Sequence, residues 1–482
     1  MPNIALWSGE ANQGREQGHI EKTPTKEDIM NKYIRNPAKT LPSVVLWLAV
    51  LPLAALGQGN YATPYTFTTI AGSHGVSGGA DGTNRAAQFD LPVGLRLDSA
   101  GNLYLAEQNN HTVRKITPVG TNWVVTTLAG LAGVSGFADG TNSFARFHDP
   151  DCAAVDSASN LYVADALNYA IRKVTPVGTN WVVTTLAGKV GHAGEVDGTN
   201  EAALFDVPVS TALDDAGNIF VPDAVGNTIR KLSLVGTNCV VTTLAGKAGV
   251  VGSRDGTNGA ALFNSPYDLA VDSAGNVYVA DFGNCLIRKI TPVGTNWVVT
   301  TLAGLGGQVG YRDGTGSEAR FTGPSGIAVD GGGNLYLSDS GTTPSSTIRK
   351  LTPVGTNWVV TTLAGRDFIA GFADGTGSAA RFDNPESVVV DSSGNLFVAD
   401  GSNNTIRKGY PELIIANWTS FAPSLSFSII GPGGQTVVVD ASTDLVSWLP
   451  IWTNTLTFPA PVRFTDPATS ANSSRFYRAQ NP

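Results

Sequence analysis

Five times along this chain an acid stands seven residues before an arginine: Glu107 and Arg114, Asp165 and Arg172, Asp223 and Arg230, Asp281 and Arg288, Asp400 and Arg407. In a sixth pair, Asp339 and Arg349, the gap is ten. A carboxylate beside a guanidinium can serve acid–base chemistry, or it can form a charge-assisted, bidentate hydrogen bond. Recurrence decides between these. A catalytic centre is one constellation of unlike groups, so a pair repeated six times reads as a structural pin between adjacent antiparallel strands.

The elements that position these pairs follow from their spacing. The six arginines lie 58, 58, 58, 61 and 58 residues apart. The aspartates of the Asp-Gly-Thr triplets, Asp81, Asp139, Asp197, Asp255, Asp313 and Asp374, are spaced by 58 four times and then by 61. Both rulers give six copies of one unit and place three extra residues in the fifth, between Gly341 and Ser346. In the fourth copy Asp268–Asp272, Val277–Asp281, Leu286–Thr291 and Trp297–Ala303 alternate with period two and are separated by turn residues. Such a unit is a four-stranded antiparallel meander. Val277 and Val279 face one side of its second strand and Tyr278 the other, so both faces need cover. Blades stacked face to face provide it. The expected fold is all-β, a six-bladed β-propeller over residues 65–408.

Two further features fit closure around an axis. Ala154, Ala212, Ala270 and Ala328 hold the position two residues before the turn aspartate in four copies, as crowding at an axis requires, with Val389 in the sixth and Arg96 in the first. The sixth copy ends at Arg407-Lys408 without its outer strand, while Tyr65–Gly72 matches the missing sequence. The N-terminal strand is therefore expected to complete the last blade, which removes an exposed sheet edge.

Charge and address narrow the function classes. The 482 residues carry a net charge of -8, which opposes a sequence-independent hold on nucleic acid or anionic lipid. Ser43–Leu56 is a run of 14 apolar residues preceded by Lys32, Arg35 and Lys39 and followed by Gly57, the pattern of a secretory signal peptide. Residues 1–57 are read as leader and signal, with Met30 as a candidate true start and a mature chain beginning at Gln58. The run is shorter than the ~20 residues a bilayer needs, so no stable membrane span is expected after cleavage.

Few residues suggest metal or nucleophilic chemistry. The Asp-Gly-Thr triplets lack the acid density of a calcium loop and read as turns, with aspartate accepting from the backbone and glycine taking a positive φ. Cys152, Cys239 and Cys285 form no metal or disulfide pattern, and no G-x-S-x-G elbow occurs. His74, His111, His148 and His192 have no metal-ligand spacing, although His111 and His148 could converge. No metal or cofactor is expected. The positions that diverge between copies are better candidates for binding: Asn109, His111, Tyr169 and Phe282 in the turns after the second strand, with Arg96 either pointing into the axial channel or pairing with a nearby carboxylate.

Pro324–Asp330, Asn276–Asp281 and Asn227–Lys231 resemble NHL repeats, a family of six-bladed propellers, and the resemblance covers Phe67 to Lys408. It implies the fold strongly and the function weakly, since the family spans lyases, sensor domains, RNA-binding modules and scaffolds. Its lyases use histidines around a metal, a set that does not map onto this chain. After Tyr410-Pro411 the period stops, and residues 412–482 read as a small β-sandwich-like module. The expected function is secreted, non-enzymatic binding of a protein, peptide or glycan. The rival is an extracellular lyase- or lactonase-type enzyme, which would need carboxylates or histidines from different blades to converge at the axial mouth.

Overall fold

The computed structural model describes residues 65–341 and 346–412 and, beyond them, 414–421, 424–431, 434–442, 449–456, 462–466 and 476–480. The signal-peptide assignment and most of the fifth copy's insertion lie outside these residues. Among the described residues no helix is long and apolar enough to cross a membrane.

Six antiparallel sheets repeat one order. In the first blade Pro92–Leu97 is innermost, followed outward by Leu103–Glu107, Thr112–Val119 and Asn122–Gly130. The blades have five strands rather than four, because Gly82–Thr83 pairs with Val124 and Val125 on the outer strand. The Asp-Gly-Thr triplet is thus more than a turn: its glycine and threonine are a short fifth strand. The triplet glycine has positive φ in the fifth and sixth copies, Gly314 and Gly375, and in every copy the left-handed position falls two residues after it, on Asn84, Asn142, Asn200, Asn258, Gly316 and Gly377. That left-handed position explains why only asparagine or glycine follows the triplet.

Tyr65–Ala71 pairs with Thr405–Pro411 on one side and with Gly375–Thr376 on the other, so the first strand of the chain completes the sixth blade. The core lies between blades. Val277 and Val279 pack with Phe220 and Ile229 of the third blade, while Tyr278 and Ala280 pack with Ile327, Leu335 and Leu337 of the fifth. The alternation seen in the sequence therefore feeds two different interfaces.

The C-terminal strands form two three-stranded sheets, Ile414–Phe421, Ser424–Ile430 and Val462–Asp466 in one, Leu449–Thr455, Thr436–Ser442 and Phe476–Gln480 in the other. Phe427, Ile429 and Phe464 of the first pack against Val437 and Val439 of the second. The strand Ile414–Phe421 was not anticipated, since Ala416-Asn417-Trp418-Thr419-Ser420 shows no clean alternation.

Candidate functional site

The six arginines are fully buried, each at the centre of one socket. In the fourth blade Arg288 Nη1 donates to Asp281 at 2.8 Å and Nη2 donates to Asp255 at 2.8 Å. Nη1 also reaches the carbonyl of Leu262, Nη2 that of Arg254, and the guanidinium lies over the Phe263 ring. Equivalent contacts join Arg114 to Glu107 and Asp81, Arg172 to Asp165 and Asp139, Arg349 to Asp339 and Asp313, and Arg407 to Asp400 and Asp374. A register slip beside each arginine, as between Val113 and Arg114, bends the strand there. Sequence reasoning paired each arginine with one acid and missed the second, the triplet aspartate, which ties the fifth strand to the blade.

The third blade departs from the pattern. Gly226 stands where four sister units carry Asn110, Asn168, Asn284 and Asn403, each of which donates to its socket acid. Glu195 fills the vacated space, so close that a Cβ on Gly226 would overlap its carboxylate. Arg230 then lies 3.4 Å from Glu195 and 3.6 Å from Asp223, and burial together with Glu195 raises the Asp223 pKa well above its ordinary range. A carboxyl whose folded pKa is raised contributes stability at acidic pH that is lost as pH rises through the folded value. Glu195→Gln should therefore melt about 1–3 °C above the parent near pH 8, with the gap closing near pH 4, in calorimetric scans.

The second strand and the inner strand fix the functional face. Pro92 pairs with Glu107, and Gln108 N–H donates to the Leu91 carbonyl, so the turns after the second strands share one face with the links between blades. The residue after the first proline of each unit sits where these links meet the axis: Val93, Asp151, Val209, Tyr267, Ser325 and Glu386. All six line one small space of about 10 Å³, together with Arg96, Ser210 and Asp268 from the next turn of the strands.

Arg96 crosses the axis beneath this mouth. Its Nη2 donates to Asp268 at 2.6 Å and to Ser210 at 2.8 Å, Nη1 to its own Leu95 carbonyl, and Nε to the Thr211 carbonyl. Every nitrogen of the guanidinium is engaged within the protein. Below it a wider cavity of about 270 Å³ is lined by aliphatic side chains, among them Leu97, Val155, Leu213 and Val329. Arg96 divides the channel in two.

The remaining acids of the mouth are less well served. Asp151 is 4% exposed and accepts from Gln108 Nε2 at 3.1 Å. Burial, reinforced by Glu386 and Asp149, pushes its pKa well above the usual carboxylate range. Glu386 is half-buried, accepts from Asn384 Nδ2, and is pushed up to about 7 by burial. Tyr267 is raised by burial and by the nearby Glu386, Asp151 and Asp268. Chemically the mouth offers two carboxyls that titrate late, a phenol, and the hydroxyl of Ser325.

The five sequence candidates divide. Arg96 belongs to the mouth, and Phe282 reaches it through Tyr267, with ring centroids 5.7 Å apart. His111 borders it: Nδ1 accepts from Asp149 N–H, burial lowers its pKa, and its ring meets that of His148 edge-on at 5.9 Å. Asn109 lies on the exposed rim, donating to Asp90 at 3.0 Å. Tyr169 is half-buried in the second blade's turn with φ 58°, the same left-handed position as His111 and Cys285. Asp151, Tyr267 and Glu386 were missed, although laying the six prolines Pro92, Pro150, Pro208, Pro266, Pro324 and Pro385 on one another marks the next residue as highly divergent. Among the described residues no group of three or more His, Cys, Asp or Glu side chains is arranged to hold a metal ion.

Comparison with known proteins agrees with this architecture. The NHL repeat profile matches residues 263–290 and 382–408. Protein SUPPRESSOR OF QUENCHING 1, chloroplastic, of Arabidopsis thaliana is 27% identical over 331 residues, 66% of this chain and 30% of that protein. NHL repeat-containing protein 3 of Homo sapiens is 26% identical over 153 residues, 30% of this chain and 42% of that protein. The chain spans less than half the length of either relative. An auxiliary nutrient binding protein from Bacteroides thetaiotaomicron superimposes with a TM-score of 0.53 at 19% identity, over 72% of this chain and 77% of that one, a likeness of fold. Six like units on six like sheets make this chain a six-bladed β-propeller, and two of its units match the NHL repeat.

Proposed function

We propose that this chain is an exported, non-enzymatic binding protein whose propeller takes a protein, peptide or glycan ligand on the loop face centred on the axial mouth. The supporting observation is a contrast within the repeat. The sockets recur in all six blades, as fold maintenance demands, whereas the mouth position carries Val93, Asp151, Val209, Tyr267, Ser325 and Glu386. Few, fixed polar groups in a concave, partly apolar setting are the usual means of orienting a ligand. The Bacteroides propeller described as an auxiliary nutrient binding protein points in the same direction.

A second reading has its own observation. Carboxyls of three blades, Asp151, Asp268 and Glu386, do meet at the mouth, and a Glu386 pKa of about 7 suits general acid–base work. Binding and turnover separate the two. The protein recovered from the medium, with its N-terminus read by sequencing, should bind members of a glycan and peptide array without altering them. Asp151→Asn should weaken those hits about tenfold or more, the cost of one charged hydrogen bond. Hits indifferent to Asp151 would move the site off the axis, chemical conversion of a hit would favour the enzyme, and retention in the cytoplasm would remove export.

A further inference from the structure

We infer that the axial mouth is a seat for a primary ammonium group, with Asp151, Tyr267 and Glu386 as its three oxygen partners. This deepens the binding reading and rests on it.

The first support is symmetry. Asp151, Tyr267 and Glu386 hold the same position in the second, fourth and sixth blades, with Val93, Val209 and Ser325 between them. Alternate blades of a six-fold array are about a third of a turn apart. An –NH₃⁺ group carries three donors in trigonal array and no acceptor.

The second support is unspent acceptor capacity. Asp268 is saturated: Oδ1 accepts from Arg96, Ser210 and the Leu269 N–H, and Oδ2 from the Ile327 N–H. Asp151, although only 4% exposed, has a single donor, on Oδ1, and its Oδ2 has no partner among the described residues. The Tyr267 hydroxyl likewise has none. Among the described residues Glu386 accepts only from Asn384. Among the described residues no cation pairs with them, since Arg96 is spent on Asp268 and three neighbouring acceptors. A buried carboxylate without a cation is costly, and an incoming cation relieves that cost.

Size and chemistry choose among cations. The space holds about one water-sized group, which an ammonium matches. The described His, Cys, Asp and Glu side chains form no metal-type cluster. The half-buried Tyr267 and Phe282 rings flank the entrance and suit the alkyl stem or the charge of an amine.

The groups facing the two carboxyls fix the sign of the pH dependence. Asp151 faces Glu386, Asp149 and Tyr267, with the Arg96–Asp268 pair below and His111 behind Asp149. Burial, with like charge added at Asp151, holds protons on both carboxyls at acidic pH, so an ammonium must displace them. Affinity then rises with pH through the Glu386 value of about 7.

Calorimetric titration of the whole chain with cadaverine, against 1-pentanol as the neutral control, tests this. The inference requires cadaverine binding near pH 8, affinity falling as pH drops by up to about tenfold per pH unit for each protonated carboxyl, and proton release read from buffers of different ionisation heat. Asp151→Asn with Glu386→Gln should abolish binding. Should that variant melt early, Tyr267→Phe keeps the ring, removes one oxygen and should weaken binding several-fold. Binding that ignores pH or survives these changes overturns the assignment, as does equal affinity for 1-pentanol. If cadaverine fails while array hits still bind and depend on Asp151, only the ammonium assignment falls. If cadaverine and the whole array fail, the binding reading falls with it.

Discussion

Deleting Tyr65–Ala71 should leave a protein that no longer folds as a stable monomer. The strand contributes buried Tyr65, Phe67, Ile70 and Ala71 to the sixth blade and supplies the partner of Thr405–Pro411. Phe67 alone packs edge-on against Phe382 at 5.1 Å and occupies the space above Gly409, where any Cβ would strike its ring. Phe67→Ala should by itself cost about 3–5 kcal/mol. Without the strand the third strand of blade six becomes an open edge that invites pairing between chains. Size-exclusion chromatography should show oligomers or aggregates, limited proteolysis should release fragments of the sixth blade first, and a synthetic peptide of residues 65–71 should restore part of the protection. A monomeric, protease-resistant deletion variant would show that the seam is dispensable.

The second large effect concerns the sockets. Arg288→Met should destabilise the propeller by about 3–5 kcal/mol, because removal of one partner strands a buried charge. Asp281 is wholly buried and would keep only the donors Asn284 Nδ2 and Asn264 N–H, while Asp255 would lose its link to the socket and keep Thr301 N–H and Oγ1. Arg288→Lys should recover little, since an ammonium cannot reach both acids and lie flat over Phe263 as the guanidinium does. Adding Asp281→Asn to Arg288→Met should return part of the loss, as the stranded charge is gone. Urea unfolding of the three variants checks the order. A fully stable Arg288→Met would reduce the socket to a spacer.

By itself the sequence determined the repeat, and with it most of the fold. A 58-residue period, alternation on both faces of Val277–Asp281 and a displaced outer strand at Tyr65 leave few arrangements besides six blades closed by the N-terminus. These are local patterns written six times over, and repetition averages out the ambiguity of any one copy. The pairing of Arg288 with Asp281 was legible for the same reason, because neighbouring strands of one hairpin bring them together. The tertiary structure alone decided what unlike residues do together. Asp255 joins the socket from 33 positions away, and Gly226 makes sense only beside Glu195. The mouth is the extreme case. Asp151, Tyr267 and Glu386 are separated by more than a hundred residues each, stand in no motif, and acquire perturbed chemistry only because ring closure places equivalent positions of alternate blades around one axis, away from water and without a cation of their own.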